Sequence, residues 1–235
     1  MRRFIILFFP FVLAAGVYKA KIEPYDKITV KSEVSGRVVK VFLNKESKEA
    51  NGEVIEIDHA LESKKLKNFQ NKLKILNELI EIKRAQYNRI KNLRGENLFT
   101  KERYKNELLN LLMQREDLLN IIAELKDRIS KKIISVKNMY IKKIYVREGE
   151  FVNIGAKLMD LENQNGSRIV IFVDSKDREN LSNSDILIDG KKSGFKVEKA
   201  FNSPDIKYIS SYRVELVSFE KLPYGKLVDV EIRRK

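Results

Sequence analysis

The sequence predicts an elongated, mainly β protein of the α+β class, in which a split β-sandwich is interrupted by a long antiparallel coiled coil and followed by a small β-barrel. This prediction rests on an internal repeat and on a change of apolar period between its two halves. Residues 36–43 resemble residues 139–146, and the same alignment places Ile55 on Leu158. A repeat that is split in this way indicates one small β-domain built from two halves, with the insertion projecting from it.

The insertion, residues 59–132, has the pattern of an α-helical coiled-coil hairpin. Its apolar residues recur at steps of three and four, as in a heptad seam, and residues 94–97 supply the turn between the helices. Lys83 and Arg115 each occupy one expected apolar position. The predicted seam residues are Leu66, Phe69, Leu73, Leu76, Ile80, Tyr87 and Ile90 on the first helix, and Leu108, Leu111, Leu118, Ile122, Leu125 and Ile129 on the second.

Predicted β-segments flank the hairpin on both sides. An N-terminal strand within residues 21–33 is expected to join the barrel, while residues 34–58 and 133–162 form the two halves of the split domain. Residues 163–166, Asn-Gln-Asn-Gly, are predicted to form a loop. Short strands separated by turns then predict a small antiparallel barrel over residues 163–235.

Composition and charge exclude several classes of function. The chain of 235 residues has 47 Lys and Arg against 33 Asp and Glu, which gives a net charge of +14. The lysines are spread over every segment and form no basic run with interleaved aromatic residues, so we expect no nucleic-acid partner. Attraction to anionic lipid head groups is an easier use for this charge. The absence of cysteine excludes disulfides, thiolate chemistry and a lipoprotein anchor.

The N-terminus has the pattern of an export signal. Arg2 and Arg3 precede an apolar run over residues 4–17, and lysines follow it. The run is shorter than the roughly 20 apolar residues that a membrane-spanning helix needs. We therefore interpret residues 1–20 as a signal peptide or an N-terminal membrane anchor, and we expect the protein to be exported.

The second half of the repeat contains the clearest motif. Residues 144–158 match the pattern V-x-V-x-x-G-x-x-V-x-x-G-x-x-L with Ile at the first position. In these residues and in the order of its segments, the chain resembles the HlyD/AcrA-type periplasmic adaptors, also called membrane fusion proteins. Residues 34–38, Val-Ser-Gly-Arg-Val, are similar to the first lipoyl half-motif of that family. Glu46 departs from the family pattern, because a turn glycine is expected there. The resemblance implies lipoyl-like halves with turn and fold positions at Gly36, Gly52, Gly149 and Gly155.

The turn of the hairpin provides a second point of resemblance. Many adaptors that dock on a TolC-like outer-membrane channel have R-x3-L-x6-S around this turn, and Arg89, Leu93 and Thr100 have that spacing, with Thr replacing Ser. The resemblance implies that Leu93 fills an apolar gap between channel helices. It also implies that Arg89 and Thr100 hydrogen-bond the backbone of the channel tip. Taken without the resemblance, Leu93 is one more coiled-coil residue and Arg89 is one more solvated charge.

The resemblance implies a periplasmic adaptor that links an inner-membrane transporter to a TolC-like channel for efflux or export. Such a subunit is associated with or anchored to the inner membrane of a Gram-negative bacterium and self-associates into a ring, commonly a hexamer. The transporter class, ABC, RND or major facilitator, and the substrate are left open. Since the sequence ends near the last predicted strand, we expect no membrane-proximal domain. The alternative is an exported structural coiled-coil protein that tethers envelope layers without a transporter.

The sequence offers no constellation of catalytic, cofactor-binding or metal-binding residues. His59 is the only histidine, which removes most metal and acid–base sites. The hairpin replaces the β-turn on which a lipoyl or biotinyl carrier presents its lysine, so we expect neither modification. We therefore expect a protein that is not an enzyme and has no cofactor.

Overall fold

The computed structural model describes residues 16–95, 97–206, 208 and 210–234. Residues 1–15, which make up most of the predicted signal peptide or anchor, lie outside the described residues. The end of that segment enters strand β1 (Val17–Lys21). No helix within the described ranges is both long enough and apolar enough to cross a membrane.

The chain forms two compact units. Within the described residues, the hairpin unit covers 29–160, and the terminal unit combines 16–28 with 161–234. The strands after β1 are β2 (Glu23–Lys31), β3 (Gly36–Val41), β4 (Lys48–Ile57), β5 (Ile133–Ile144), β6 (Phe151–Val152), β7 (Lys157–Val173), β8 (Ser184–Ile188), β9 (Lys191–Lys192), β10 (Lys196–Ala200), β11 (Tyr212–Ser218) and β12 (Leu227–Arg234).

The predicted helical hairpin is confirmed. Helix α1 runs from Ala60 to Lys91 and helix α2 from Leu98 to Lys132. Every predicted seam residue is buried or half-buried. Lys83 replaces an apolar seam residue, and its Nζ donates a hydrogen bond to Glu107 Oε2 of the other helix at 2.8 Å. The ion pair thus gives this lysine a partner across the seam. The buried seam residues are Ile80, Leu108, Ile122 and Leu125.

The root of the hairpin is fixed by the pairing of β4 with β5. These antiparallel strands place Glu56, near the end of β4, opposite Ile133, the first residue of β5. At the junction, Lys132 Nζ donates to the carbonyl oxygen of Asp58 at 2.7 Å and to Glu62 Oε1 at 2.5 Å. The last residue of α2 is therefore tied to the start of α1.

Antiparallel strands form the rest of the hairpin unit, as predicted. Strand β3 lies between β6 and β4, and β4 lies between β3 and β5. The repeat alignment pairs residues that share a buried environment, for example Val38 with Ile141 and Ile55 with Leu158, all fully buried. The interpretation of these two halves as lipoyl-like stays a prediction.

Two glutamates join the halves of the repeat reciprocally. The backbone N–H of Val41 donates to Glu148 Oε1 at 3.0 Å, and that of Ile144 donates to Glu46 Oε2 at 3.1 Å. Val41 and Ile144 are equivalent in the repeat. The structure therefore gives Glu46 and Glu148 equivalent positions, because each carboxylate accepts from the opposite half.

The turn that follows these glutamates is shifted by one residue from the sequence alignment. Ser47 has a φ of 60° and Gly149 a φ of 89°. Their backbone N–H groups make the same bond, Ser47 to the carbonyl of Ile141 and Gly149 to that of Val38, each at 2.8 Å. The structural counterpart of the turn glycine is thus Ser47 and not Glu46. A serine in the left-handed region is less favourable than glycine, and the surrounding bonds hold it there.

The terminal unit contains two groups of antiparallel strands around one core. One group has the order β1–β12–β8–β9, and in the other β11 lies between β10 and β7. Its interpretation as a small barrel stays a prediction. The core contains Ala20, Ile22, Ile169, Ile171, Val173, Leu181, Ile186, Phe195, Val214, Leu216, Val228, Val230 and Ile232.

The prediction of a loop at residues 163–166 is wrong, because β7 continues through them without a break. The Tyr224 hydroxyl lies 3.0 Å from the carbonyl oxygen of Gly166 and 3.2 Å from that of Gln164. A Cβ atom on Gly166 would lie 2.6 Å from the carbonyl oxygen of Ser218. The glycine therefore permits a close approach of backbones within the sheet and does not mark a turn.

Helix α3 (Ser175–Asn180) was not predicted from the sequence. Its cap is Asp174, whose side chain accepts a hydrogen bond from the backbone N–H of Asp177 at 2.7 Å. The six residues are too few and too polar to show an apolar period. The sequence feature that could have indicated the helix is Asp174, a residue type favoured at helix N-caps.

Replacing Ile80 with Ala tests the hairpin seam. Ile80 is 2% exposed, and we expect the change to lower the free energy of unfolding by about 2–5 kcal/mol. The matched control is Ile82→Ala two residues away, where the side chain is 56% exposed and the expected loss is below about 1 kcal/mol. Urea unfolding followed by far-UV circular dichroism measures both, and equal losses would contradict the seam.

Acid should weaken the root of the hairpin. The hydrogen bond from Lys132 lowers the pKa of Glu62 below its ordinary value of 4.5. A carboxyl group with a lowered pKa in the folded state adds stability above its unfolded pKa and loses it as the pH falls through the folded pKa. The difference in free energy of unfolding between wild type and Lys132→Met should therefore be constant near neutrality and shrink below pH 4.5.

The control for this acid effect is Glu62→Gln, which keeps a hydrogen-bond acceptor but has no charge to lose. In that background, Lys132→Met should have an effect that does not depend on pH in this range. A wild-type difference that stays constant down to about pH 3 would show that the charge of Glu62 does not matter.

Candidate functional site

The candidate site is the tip of the hairpin, defined as Arg89 to Lys101. Three large apolar side chains at this end are more than half exposed: Leu93 is 52%, Leu98 69% and Phe99 71% accessible. Nothing within the described chain covers them. Exposed apolar side chains that lie close together are typical of a surface that binds a partner.

The turn itself is tightly built. Gly95 has a φ of 84°, a conformation that favours glycine. Lys101 Nζ donates to the carbonyl oxygen of Leu93 at 2.9 Å, which ties the first turn of α2 to the end of α1. Asn97 caps α2, since its side-chain oxygen accepts from the backbone N–H of Phe99 at 3.0 Å. These bonds fix the backbone that presents Leu98 and Phe99.

The predicted docking residues Arg89, Leu93 and Thr100 all lie at this tip. Arg89 is exposed, and its Nε makes one long bond of 3.4 Å to the carbonyl oxygen of Ala85 in its own helix. The remaining N–H groups of its guanidinium make no hydrogen bond with the described residues. Thr100 is half-buried at the start of α2. Their joint role in docking stays a prediction.

Sequence reasoning missed Leu98 and Phe99. The seam of α2, extended backward from Leu108 in steps of three and four, passes through residues 104 and 101 and avoids both. The sequence feature that could have identified them is their position, directly after a capping Asn and outside the apolar seam of the helix. Their position on the first turn of α2 makes the apolar surface of the tip larger than Leu93 alone.

The tip is also basic. Residues 89–105 include Arg94 and five other basic residues but only two acidic ones. The surface around the apolar side chains is therefore positive. Such a surface attracts acidic groups over distances of about a Debye length, roughly 8 Å at physiological salt. The other cations are Arg89, Lys91, Lys101, Arg103 and Lys105, and the acidic residues are Glu96 and Glu102.

The four predicted turn and fold glycines lie in the hairpin unit, away from the tip. Three have a positive φ: Gly52 at 80°, Gly149 at 89° and Gly155 at 83°. A Cβ atom on Gly36 would lie 2.6 Å from Cγ2 of the buried Ile57, so a larger residue here requires that the Ile57 side chain or the backbone shift.

No group of His, Cys, Asp or Glu side chains within the described ranges is arranged to hold a metal ion. His59 has a structural setting at the start of α1: its Nδ1 lies 2.8 Å from Ser63 Oγ, and its Nε2 lies 3.1 Å from Glu56 Oε1. Both ring nitrogens are therefore engaged at the junction of β4 and α1.

Replacing Asn97 with Ala tests how the tip is held. Loss of an N-cap of this type costs about 0.5–2 kcal/mol, and the effect should be local. We expect faster amide hydrogen exchange at residues 98–101 and little change elsewhere in α2. Asn97→Asp keeps the acceptor and should exchange like the wild type. Equal exchange in Asn97→Ala and wild type would show that the cap does not order the tip.

No known family model matches the sequence, and no curated protein matches it. Solved structures do. The membrane fusion protein Spr0693 from Streptococcus pneumoniae R6 has a TM-score of 0.72 at 10% identity, covering 94% of this chain and 100% of that one.

Two further solved structures have the same kind of fold. A chimera of MacA containing the MexA α-hairpin domain of Pseudomonas aeruginosa has a TM-score of 0.66 at 17% identity, covering 94% of this chain and 81% of the other. MacA from Actinobacillus actinomycetemcomitans has a TM-score of 0.56 at 16% identity, covering 94% and 78%. The chain therefore has the fold of the membrane fusion proteins, which the resemblance to HlyD/AcrA-type adaptors predicted.

Proposed function

We propose that this protein is a periplasmic adaptor subunit that links an inner-membrane transporter to a TolC-like outer-membrane channel in efflux or export. The observation that supports the proposal most directly is the tip of the hairpin. There Leu93, Leu98 and Phe99 are all more than half exposed on a chain that has the membrane-fusion fold.

Docking of the tip would gain free energy from the burial of these side chains. Fully burying one Leu or Phe side chain is worth about 1.5–3 kcal/mol, so three of them can anchor a contact of small area. Arg89 has guanidinium N–H groups available for carbonyl or carboxylate oxygens on the channel, and its planar fork suits such acceptors. The basic surface around the tip favours an acidic rim on the partner.

The sides of the hairpin support self-association. Ile75, Leu79 and Ile82 follow one another on a single face of α1 and are 67%, 40% and 56% exposed. On α2, Leu109 and Met113 are 45% and 67% exposed. Contact between hairpins of neighbouring subunits would cover these residues, as in a ring, and we propose a hexamer. The lone hairpin gains from such neighbours because few of its residues are fully buried.

The terminal unit is the proposed contact with the inner-membrane transporter, which can be an ABC, RND or major-facilitator protein. The proposed location is the periplasmic side of the inner membrane, with residues 1–20 serving as an export signal or as an anchor. In this role the adaptor breaks and forms no covalent bond. It encloses the path of the substrate and transmits conformational change between its partners.

A pull-down of the tagged protein from detergent-solubilised native membranes tests the proposal. The wild type should recover an outer-membrane channel and an inner-membrane transporter. An Arg89→Asp, Leu93→Asp double variant and a Leu98→Asp, Phe99→Asp double variant should each recover the transporter alone. The matched control is Leu61→Asp, which changes a leucine of similar exposure (62%) at the root of the hairpin and should keep both partners.

The outcomes separate the two parts of the proposal. If the tip variants still recover the channel at the wild-type level, the adaptor role survives but the tip is not the docking site. If the wild type recovers neither membrane protein, the adaptor role fails. A structural coiled coil that tethers envelope layers then becomes the better account.

A further inference from the structure

The terminal unit contains an open cleft of about 790 Å³. It lies between strands β8 and β10, with α3 at one end, and we call it the β8–β10 cleft. A volume of this size is within the range of about 300–1,000 Å³ that small-molecule sites occupy. The residues used in the following argument are Arg178, Leu181, Ile186, Lys192, Phe195 and Lys196, all of which line it.

The cleft exists because two sheet edges face it without pairing. Strand β9 has two residues and pairs with β8 only at Leu187 and Ile188. Beyond them, Ser193 donates from its N–H and its hydroxyl to the carbonyl oxygen of Ile186, and no described strand pairs with Ser184 or Asp185 on that side. Strand β10 is at the end of its sheet and pairs with β11 alone among the described strands. Among the described strands, none fills the gap between the edges of β8 and β10.

The floor of the cleft is apolar. Leu181, Ile186 and Phe195 belong to the core of the terminal unit and are 7%, 8% and 5% exposed. All three also line the cleft. A hydrocarbon chain lying on this floor would therefore extend the core and remove apolar surface from water.

The rim of the cleft has an excess of one positive charge. Lys196 makes no recorded hydrogen bond or ion pair among the described residues, and Lys192 makes only a 3.6 Å contact with Asp185 while its side chain stays 79% exposed. Arg178 donates from its Nε to the carbonyl oxygen of Phe201 at 2.8 Å, which holds α3 beside the end of β10. Glu179 and Asp185 are the acidic residues of the lining, so three cations face two anions.

An added peptide strand is a poor occupant. The pairing of β10 with β11 shifts its register between Val197 and Lys199, which bends the strand. Lys196, Glu198 and Lys199 place charges along it, and every residue of β10 is exposed. Bulges and charged side chains are the features that keep edge strands from pairing. The β8–β10 cleft is therefore better suited to a small molecule than to β-strand addition.

We infer that the β8–β10 cleft binds a single-chain amphiphile with an anionic head group, of the fatty-carboxylate class. The hydrocarbon chain lies on Leu181, Ile186 and Phe195, and the carboxylate is bound by Lys196 with Lys192 at the rim. Charge-assisted bonds from lysine ammonium groups select the anionic head over a neutral or cationic one. This site is independent of the proposed role of the hairpin tip.

Calorimetric titration of the full chain with dodecanoate, below its micelle concentration, tests the inference. Dodecyl maltoside and dodecyltrimethylammonium have the same hydrocarbon chain with a neutral and a cationic head. We expect dodecanoate to bind at least about tenfold more tightly than either. Equal affinity for all three would show that the cations of the rim play no part, and would overturn the inference.

Variants locate the site. Lys196→Glu should weaken the binding of dodecanoate by about tenfold or more, whereas Lys191→Glu, a change of the same charge in β9 outside the cleft lining, should leave it within about twofold. Ala200→Trp places a large side chain into the cleft from an exposed position and should abolish binding. An unchanged thermal midpoint confirms that each variant is folded. Binding that survives both Lys196→Glu and Ala200→Trp would overturn the inference.

Discussion

The pairing of β4 with β5 is the constraint on which the rest of the hairpin unit depends. An insertion of this length can leave a sheet and return to it only if its two ends lie side by side, and Glu56 opposite Ile133 provides that arrangement. Lys132 then bonds Asp58 and Glu62, so the helices leave the sheet already in contact. The two ends of the insertion are thus brought together at the root of the hairpin. The apolar residues of the seam then only hold together two helices that already begin side by side.

The periodic parts of the chain could be predicted from the sequence because burial imposes a regular spacing on them. Both helices and their reversal follow from the heptad pattern, and even Lys83, which breaks the pattern, keeps its seam position through Glu107. The repeat likewise predicted buried pairs such as Val38 and Ile141. The turns of the repeat were harder to predict, because Ser47 occupies the position that corresponds to Gly149. A serine does not indicate a left-handed turn as a glycine does.

The remaining features depend on contacts between distant segments, which local pattern does not encode. The polar run at 163–166 has the composition of a loop, yet Tyr224 bonds its backbone and keeps it in the sheet. At the tip, the spacing identified Leu93, but Leu98 and Phe99 stood out only when their exposure was known. The four glycines were identified by pattern, whereas the packing of Gly36 against Ile57 required the structure.

Because the two helices of the hairpin end on paired strands, their lengths set the distance from the sheet to the tip. Seven residues added to α1 and seven to α2 would restore the same seam and the same root, and would carry the tip about 10 Å farther from the sheet. The same addition to one helix alone would displace the turn sideways and break the match between Ile80 and its neighbours. Changes in the distance from the sheet to the tip should therefore arise as insertions of equal length in both helices, which leave the sheet and the tip as they are.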